Sequence, residues 1–107
     1  LKGVNDDSLT LQKLLTGLLR LRVRPYYLHQ MDLVRGTAHF RTPLEKGREL
    51  IGSLRGKVSG MAIPHFVIDL PGGKGKVPVL PDSLCRDDYG WQVQTCSGEW
   101  VRYTDPF

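Results

Sequence analysis

A chain of 107 residues makes one domain at most, with a modest core, and reads as a piece of a larger soluble protein. No apolar run approaches the roughly 18 residues of a membrane span, and no stretch has the form of a signal peptide, so a cytoplasmic chain without membrane contact is expected. Fifteen Lys and Arg against eleven Asp and Glu leave a net +4, but the basic residues are scattered and form no arginine-rich block alternating with aromatics, which argues against nucleic acid as the partner.

In chain order, Leu1 to Val4 reads as the end of a strand, and Asn5-Asp6-Asp7-Ser8 offers capping side chains for a helix start. Leu11, Leu14, Leu15, Leu18 and Leu19 then recur at i, i+3, i+4, i+7 and i+8, the apolar stripe of one α-helix. Residues 24–30, extended at Pro25 and rich in aromatics, predict a strand, and Gly36 breaks the loop that follows. Thr42 as N-cap, Pro43 at the first helical position and Glu45 in the first turn predict a second helix. Leu44, Ile51 and Leu54 line it and Gly56 closes it. Residues 61–70 predict another strand, leading into Pro71-Gly72-Gly73-Lys74-Gly75-Lys76. Strands alternating with helices at this spacing indicate βα units and a parallel sheet, an α/β fold. Beyond Pro81, Trp91 to Cys96 and Glu99 to Tyr103 flank Ser97-Gly98 as a β-hairpin, with Trp91 and Trp100 expected as core anchors. Residues 1–81 thus form the α/β part and residues 82–107 an appended hairpin extension.

Cys85 and Cys96, eleven positions apart, match neither a zinc pattern nor a disulfide framework, so reduced thiols are expected. His29, His39 and His65 lack metal-ligand spacing, and His29 stands on the strand leading to Asp32, where it is expected to line a pocket. Arg24 and Arg41 are candidate partners for phosphate or carboxylate. No residue is assigned to a metal.

The glycine-rich hexapeptide carries the most chemistry. Glycines allow positive φ and close approach of backbone amides to an anion, and a lysine held there is a candidate for an imine with a carbonyl cofactor. A phosphate-binding Walker loop is excluded, because Leu70 stands where its first glycine belongs and Val77 where Ser or Thr must hold magnesium. The hexapeptide alone better suits a surface turn with two solvated lysines. In parallel α/β sheets, however, functional groups gather at the C-terminal ends of strands. Asp32 follows one strand, Asp69 ends the next and Lys76 lies in the loop after it, so two carboxylates and an amine converge on one rim. A lone strand-end aspartate is commonly a turn residue; two beside a lysine point to a site.

Five segments occur in a fixed order: Arg22-Val23-Arg24-Pro25-Tyr26-Tyr27-Leu28-His29-Gln30-Met31-Asp32, His39-Phe40-Arg41-Thr42-Pro43, Leu54-Arg55-Gly56, Ser59-Gly60 and Pro71 to Lys76. Together they closely resemble the C-terminal half of the catalytic domain of lysine 2,3-aminomutases, from Leu1 to about Pro106. The resemblance implies the last units of a partial (β/α)6 barrel, incomplete as a fragment and inactive alone. It also implies pyridoxal 5′-phosphate, S-adenosylmethionine and a 4Fe-4S cluster. The latter two would be held mainly upstream, since this chain has no CxxxCxxC.

By position, Lys76 matches the lysine that carries pyridoxal phosphate, beside Gly72, Gly73 and Gly75, while Asp32 and Asp69 match the pair that binds the ε-ammonium of substrate lysine. The implied reaction moves the α-amino group of L-lysine to C3 by a radical route, giving β-lysine. Aspartate at both positions favours lysine over glutamate. The alternatives are a relative acting on protein-bound lysine of the elongation factor P type or on another amino acid, and, from another class, a non-catalytic basic module that binds nucleic acid. Two departures stand out: Lys74 replaces a glycine of the usual four, and Asp7 stands where the family carries a zinc-binding cysteine. A homo-oligomer is expected of the full-length enzyme, without support here for its zinc link.

Overall fold

In a computed structural model, which describes residues 1–106, the chain forms two small sheets and two helices. The final residue of the expected extension, Phe107, lies outside the described residues. Residues 1–5 form a hydrogen-bonded turn rather than a strand end, with the Val4 and Asn5 N–H groups both donating to the Leu1 carbonyl. Helix α1 (Ser8–Arg20) starts where Asp7, in extended backbone, accepts from the Thr10 N–H at 2.9 Å. Hydrogen bonds from Thr10 hold the Asp7 carboxyl below its ordinary value. The helix ends without glycine: Arg22 takes φ +59, and the Val23 and Arg22 N–H groups return to the Leu18 and Leu19 carbonyls.

Strand β1 (Tyr27–His29) is shorter than the expected 24–30, because it pairs with residues 65–67 alone among the described residues. Helix α2 (Leu44–Leu54) begins one residue later than expected: Pro43, at ψ 146°, is the N-cap, and Thr42 lies outside. Gly56, at φ +78, completes a turn in which the Lys57 N–H reaches the Leu54 carbonyl. Strand β2 (His65–Leu70) occupies only the second half of the expected 61–70, after a 3₁₀ turn at Gly60–Ala62.

The helix between them carries the chain back, so β1 and β2 pair parallel, Tyr27 opposite His65 and His29 opposite Val67. Residues 71–74 then reverse the chain into β3 (Gly75–Pro78), which pairs antiparallel with β2. The sheet is therefore mixed, and Lys76 stands on a strand rather than in a loop.

The core lies on one side of this sheet. Leu11 and Leu15 of α1 and Leu50, Ile51 and Leu54 of α2 close over Phe66, with Ala62 beside them. Alternation along β2 sends Phe66 to this side and His65, Val67 and Asp69 to the other. Gly47, buried in α2, faces the Phe66 ring so closely that a methyl group would overlap its Cζ and Cε1 atoms. Gly47→Ala is therefore expected to destabilise the fold by about 1–3 kcal/mol despite alanine's better helix propensity. A lowered denaturant midpoint checks it, and an unchanged or raised midpoint would contradict the packing described.

The C-terminal extension has one strand more than the expected hairpin: β4 (Leu84–Asp87), β5 (Gly90–Gln94) and β6 (Trp100–Tyr103) form an antiparallel meander. Trp91 and Trp100 are not core anchors. Trp100 remains 45% exposed, Trp91 is half-buried under the Arg86 guanidinium, and neither belongs to the core cluster around Phe66. The meander is pinned by Asp87, whose carboxylate takes two bonds from Arg102 and others from Gln92 and the Tyr89 N–H. Arg102 foremost holds that carboxyl far below the usual range. Its contribution is therefore complete above the ordinary carboxylate value and is lost only as pH falls through the depressed one.

Candidate active site

Three strands bring their polar residues to the sheet face opposite the helices. Asp69 of β2 stands directly across from Lys76 of β3, so the backbone register, rather than a chance meeting of long side chains, makes them neighbours. Lys76 Nζ lies 3.6 Å from Asp69 Oδ1 and 5.0 Å from the centre of the Tyr27 ring. The second carboxylate oxygen, Oδ2, is 3.1 Å from His29 Nδ1 of β1. Asp69 thus bridges a histidine on one flanking strand and a lysine on the other. All three side chains remain well exposed, so the amine is accessible to a small molecule.

At the C-terminal ends of β1 and β2, a cleft of about 450 Å³ counts both Asp32 and Asp69 among its lining residues. Its remaining wall is largely apolar, including Leu33, Val34, Leu44 and Ile68. Leu44, expected to line the helix with Ile51 and Leu54, borders this cleft and is exposed, whereas those two are buried in the core. The Asp32 carboxylate makes no hydrogen bond or ion pair among the described residues. Its backbone carbonyl accepts from Arg41 Nη2 at 2.8 Å, which ties the loop after β1 to the segment before α2. Arg41 Nε is buried without a hydrogen-bond partner among the described residues.

The structure thus joins Asp69 and Lys76 directly and places Asp32 on the cleft that Asp69 shares. Lys76 does not line that cleft; it borders a second depression with Tyr27, His65, Val67 and Pro78. Gly72, Gly73 and Gly75 form the β2–β3 turn with φ of +74, +69 and +98, values that explain the glycines by conformation alone, and open space surrounds them. Lys74 lies within that turn, exposed, and Arg24 stacks on Tyr26. Tyr27 beneath the amine and His29 against Asp69 are the contacts that sequence reasoning did not pair. Their alternation along β1 was readable, whereas the register against β2 was not.

The accessible Lys76 amine suits imine formation, so the residues present fit the carbonyl cofactor that the resemblance implies. They do not fit an iron–sulfur cluster: no group of three or more His, Cys, Asp or Glu able to hold a metal occurs among the described residues. No helix among them is long and apolar enough to cross a membrane.

Comparison with known proteins gives consistent results. A family model described as lysine-2,3-aminomutase matches residues 51–90. The chain is 54% identical over 107 residues to the L-lysine 2,3-aminomutase of Acetoanaerobium sticklandii, covering 99% of the chain and 26% of that protein. It is 47% identical over 104 residues to a putative L-lysine 2,3-aminomutase of Aquifex aeolicus, covering 96% and 28%. To the glutamate 2,3-aminomutase of Clostridioides difficile it is 39% identical over 106 residues, covering 98% and 25%. The chain spans about a quarter of the length of these relatives and corresponds to a C-terminal part of them.

Proposed function

The chain belongs to the lysine 2,3-aminomutase family, and we propose that it forms the cofactor-lysine and substrate-ammonium part of an enzyme that converts L-lysine to β-lysine. The observation that carries this reading is the Asp32–Asp69 cleft beside the Asp69–Lys76 pair. A substrate attached near Lys76 by one end and carrying a cation at the other needs negative charge a few ångströms away, in a partly apolar setting. Two aspartates among the lining residues of one largely apolar cleft meet that need.

Each residue then has a physical task. Lys76 supplies the amine that would hold pyridoxal phosphate. When bound, that group supplies an electrophilic carbon for the substrate's α-amine and a conjugated ring that spreads an unpaired electron. Asp32 and Asp69 hold the distal ammonium and so fix which carbon of the substrate faces the reacting centre. Leu33, Val34 and Ile68 shield the methylene chain from water, and Arg41 holds the Asp32 loop in place. The cluster and S-adenosylmethionine belong to parts of the enzyme outside these residues. A cleft lined by two aspartates also repels polyanions, which disfavours nucleic acid.

The test is product formation by a full-length enzyme carrying this chain, supplied with pyridoxal phosphate, S-adenosylmethionine and a reductant. Incubation with L-lysine is expected to yield β-lysine, resolved from lysine by chromatography. Turnover of L-glutamate with none of L-lysine would move the chain to the glutamate branch. Turnover only of lysine within elongation factor P would move it to the protein-directed one.

A further inference from the structure

Asp69 has more claimants than one carboxylate serves at once. In the structure its Oδ1 faces Lys76 Nζ at 3.6 Å and its Oδ2 faces His29 Nδ1 at 3.1 Å. The proposed substrate ammonium would be a third, and it would arrive beside an ammonium of the same sign. The Lys76 contact is built into the fold: direct cross-strand register sets it, and the Tyr27 ring, 5.0 Å from Nζ, favours a cation at that spot. His65, adjacent to Tyr27 on the same face, completes the titratable groups around the pair.

Resting on the function proposed above, we propose that Asp69 is handed over: Lys76 holds it until an aldehyde captures the lysine nitrogen, and the substrate's distal ammonium takes it afterwards. The exchange follows from the chemistry of capture. The Lys76 ammonium gives a proton to solvent, its amine nitrogen adds to the aldehyde carbon, a C=N bond replaces C=O, and water leaves. The nitrogen is then committed to the aldehyde carbon and presents no ammonium to Asp69 Oδ1; when the substrate's α-amine takes its place at that carbon, with the distal ammonium already on Asp69, Lys76 leaves as a neutral amine and the C=N bond passes to the substrate nitrogen. His29 keeps Oδ2, so the carboxylate stays oriented while Oδ1 becomes free. Cofactor loading therefore prepares the ammonium site, and substrate binding follows it in order. The two events are linked through one side chain, and such linkage is reciprocal.

The experiment is calorimetric titration of L-lysine into the cofactor-free, full-length enzyme carrying this chain. Wild type is expected to bind weakly. Lys76→Met, which frees Asp69, is expected to bind lysine about tenfold more tightly, the scale of one like-charge contact near a protein surface. Lys76→Arg, which keeps the cation opposite Asp69, is expected to stay weak and serves where the methionine variant folds poorly. Adding Asp69→Asn to Lys76→Met should remove the gain. Equal affinity in wild type and Lys76→Met, with normal lysine binding by the loaded enzyme, would overturn the handover and leave the aminomutase reading intact. No lysine binding even by the loaded enzyme would instead overturn the reading on which the handover rests.

Discussion

Replacing either Asp32 or Asp69 with alanine in a full-length enzyme carrying this chain is expected to weaken lysine binding by roughly 2–5 kcal/mol, the scale for truncating one partner of a desolvated charge pair. In affinity that is about thirty- to several-thousand-fold. The upper end applies if closure of the complete enzyme removes water from the cleft, which is open at its rim in this chain alone. The loss should appear first in binding, and kcat should fall with it, because the same clamp fixes which carbon faces the reacting centre. Folding should barely respond. The Asp69 contacts with His29 and Lys76 join well-exposed groups, and exposed pairs contribute only about 0.2–1 kcal/mol. Asp32 makes no side-chain bond among the described residues. A titration of lysine into each variant, paired with a thermal melt, separates the two effects. Unchanged lysine affinity in both variants would remove the ammonium clamp. A large drop in melting temperature would make the loss structural.

Much of this arrangement was legible before any coordinates, and the reasons are local. The leucine stripe and Asp7 announced α1, because helix periodicity and N-capping depend on residues close in sequence. Gly56 announced the end of α2 in the same way. The end of α1 was not announced, since Arg22 takes the left-handed conformation where a glycine is usual. Strand β3 was hidden because Gly75 and Pro78 both count against a strand. What makes it one is the unpaired side of β2, and Pro78 fits because β3 lies at the sheet edge. Strand β4 was likewise missed in a segment that reads as polar tail, and only its pairing with β5 defines it.

The site divides along the same line. Asp32, Asp69 and Lys76 were readable because strand ends and the glycine turn mark their positions. The Asp69–Lys76 contact spans seven residues and follows once the hairpin exists. The His29–Asp69 contact joins residues forty apart across a parallel pair. Parallel register is set by how α2 packs on the sheet through Leu50, Ile51 and Leu54 against Phe66, and no short segment encodes it. The same holds for Arg41 and the Asp32 carbonyl, which meet because the loop after β1 folds back on the start of α2. Trp91 and Trp100 illustrate the opposite error. Their size suggested burial, but both stand on the separate three-stranded sheet and outside the core cluster that the helices close over Phe66.

Borohydride reduction of the pyridoxal phosphate-loaded, full-length enzyme is expected to fix the pyridoxyl group on Lys76 and on no other lysine of this chain. Reduction converts a C=N bond to a stable secondary amine, so peptide mass spectrometry reads the attachment point directly. Three features select Lys76. Its Nζ stands on an open sheet face, its neighbours Tyr27 and His65 border a depression that can take a ring, and Asp69 beside it is one of the residues lining the cleft shared with Asp32. Lys74 is the natural rival by sequence, two residues away, yet it lies in the exposed turn and not on the strand that faces Asp69. Lys76→Ala should therefore abolish both the adduct and the visible absorbance of the loaded enzyme. Lys74→Gly should preserve both, because Lys74 sits exposed in the turn while the ion pair with Asp69 and the ring contact with Tyr27 belong to Lys76. Turnover should follow the same division, with at least about a thousand-fold loss for Lys76→Ala, as is usual when a covalent attachment point is removed. Labelling confined to Lys74 would relocate the cofactor by two residues and sever it from Asp69. Labelling spread over many lysines would mean that no lysine of this chain is set apart for the task, and the aspartate pair would then need another explanation.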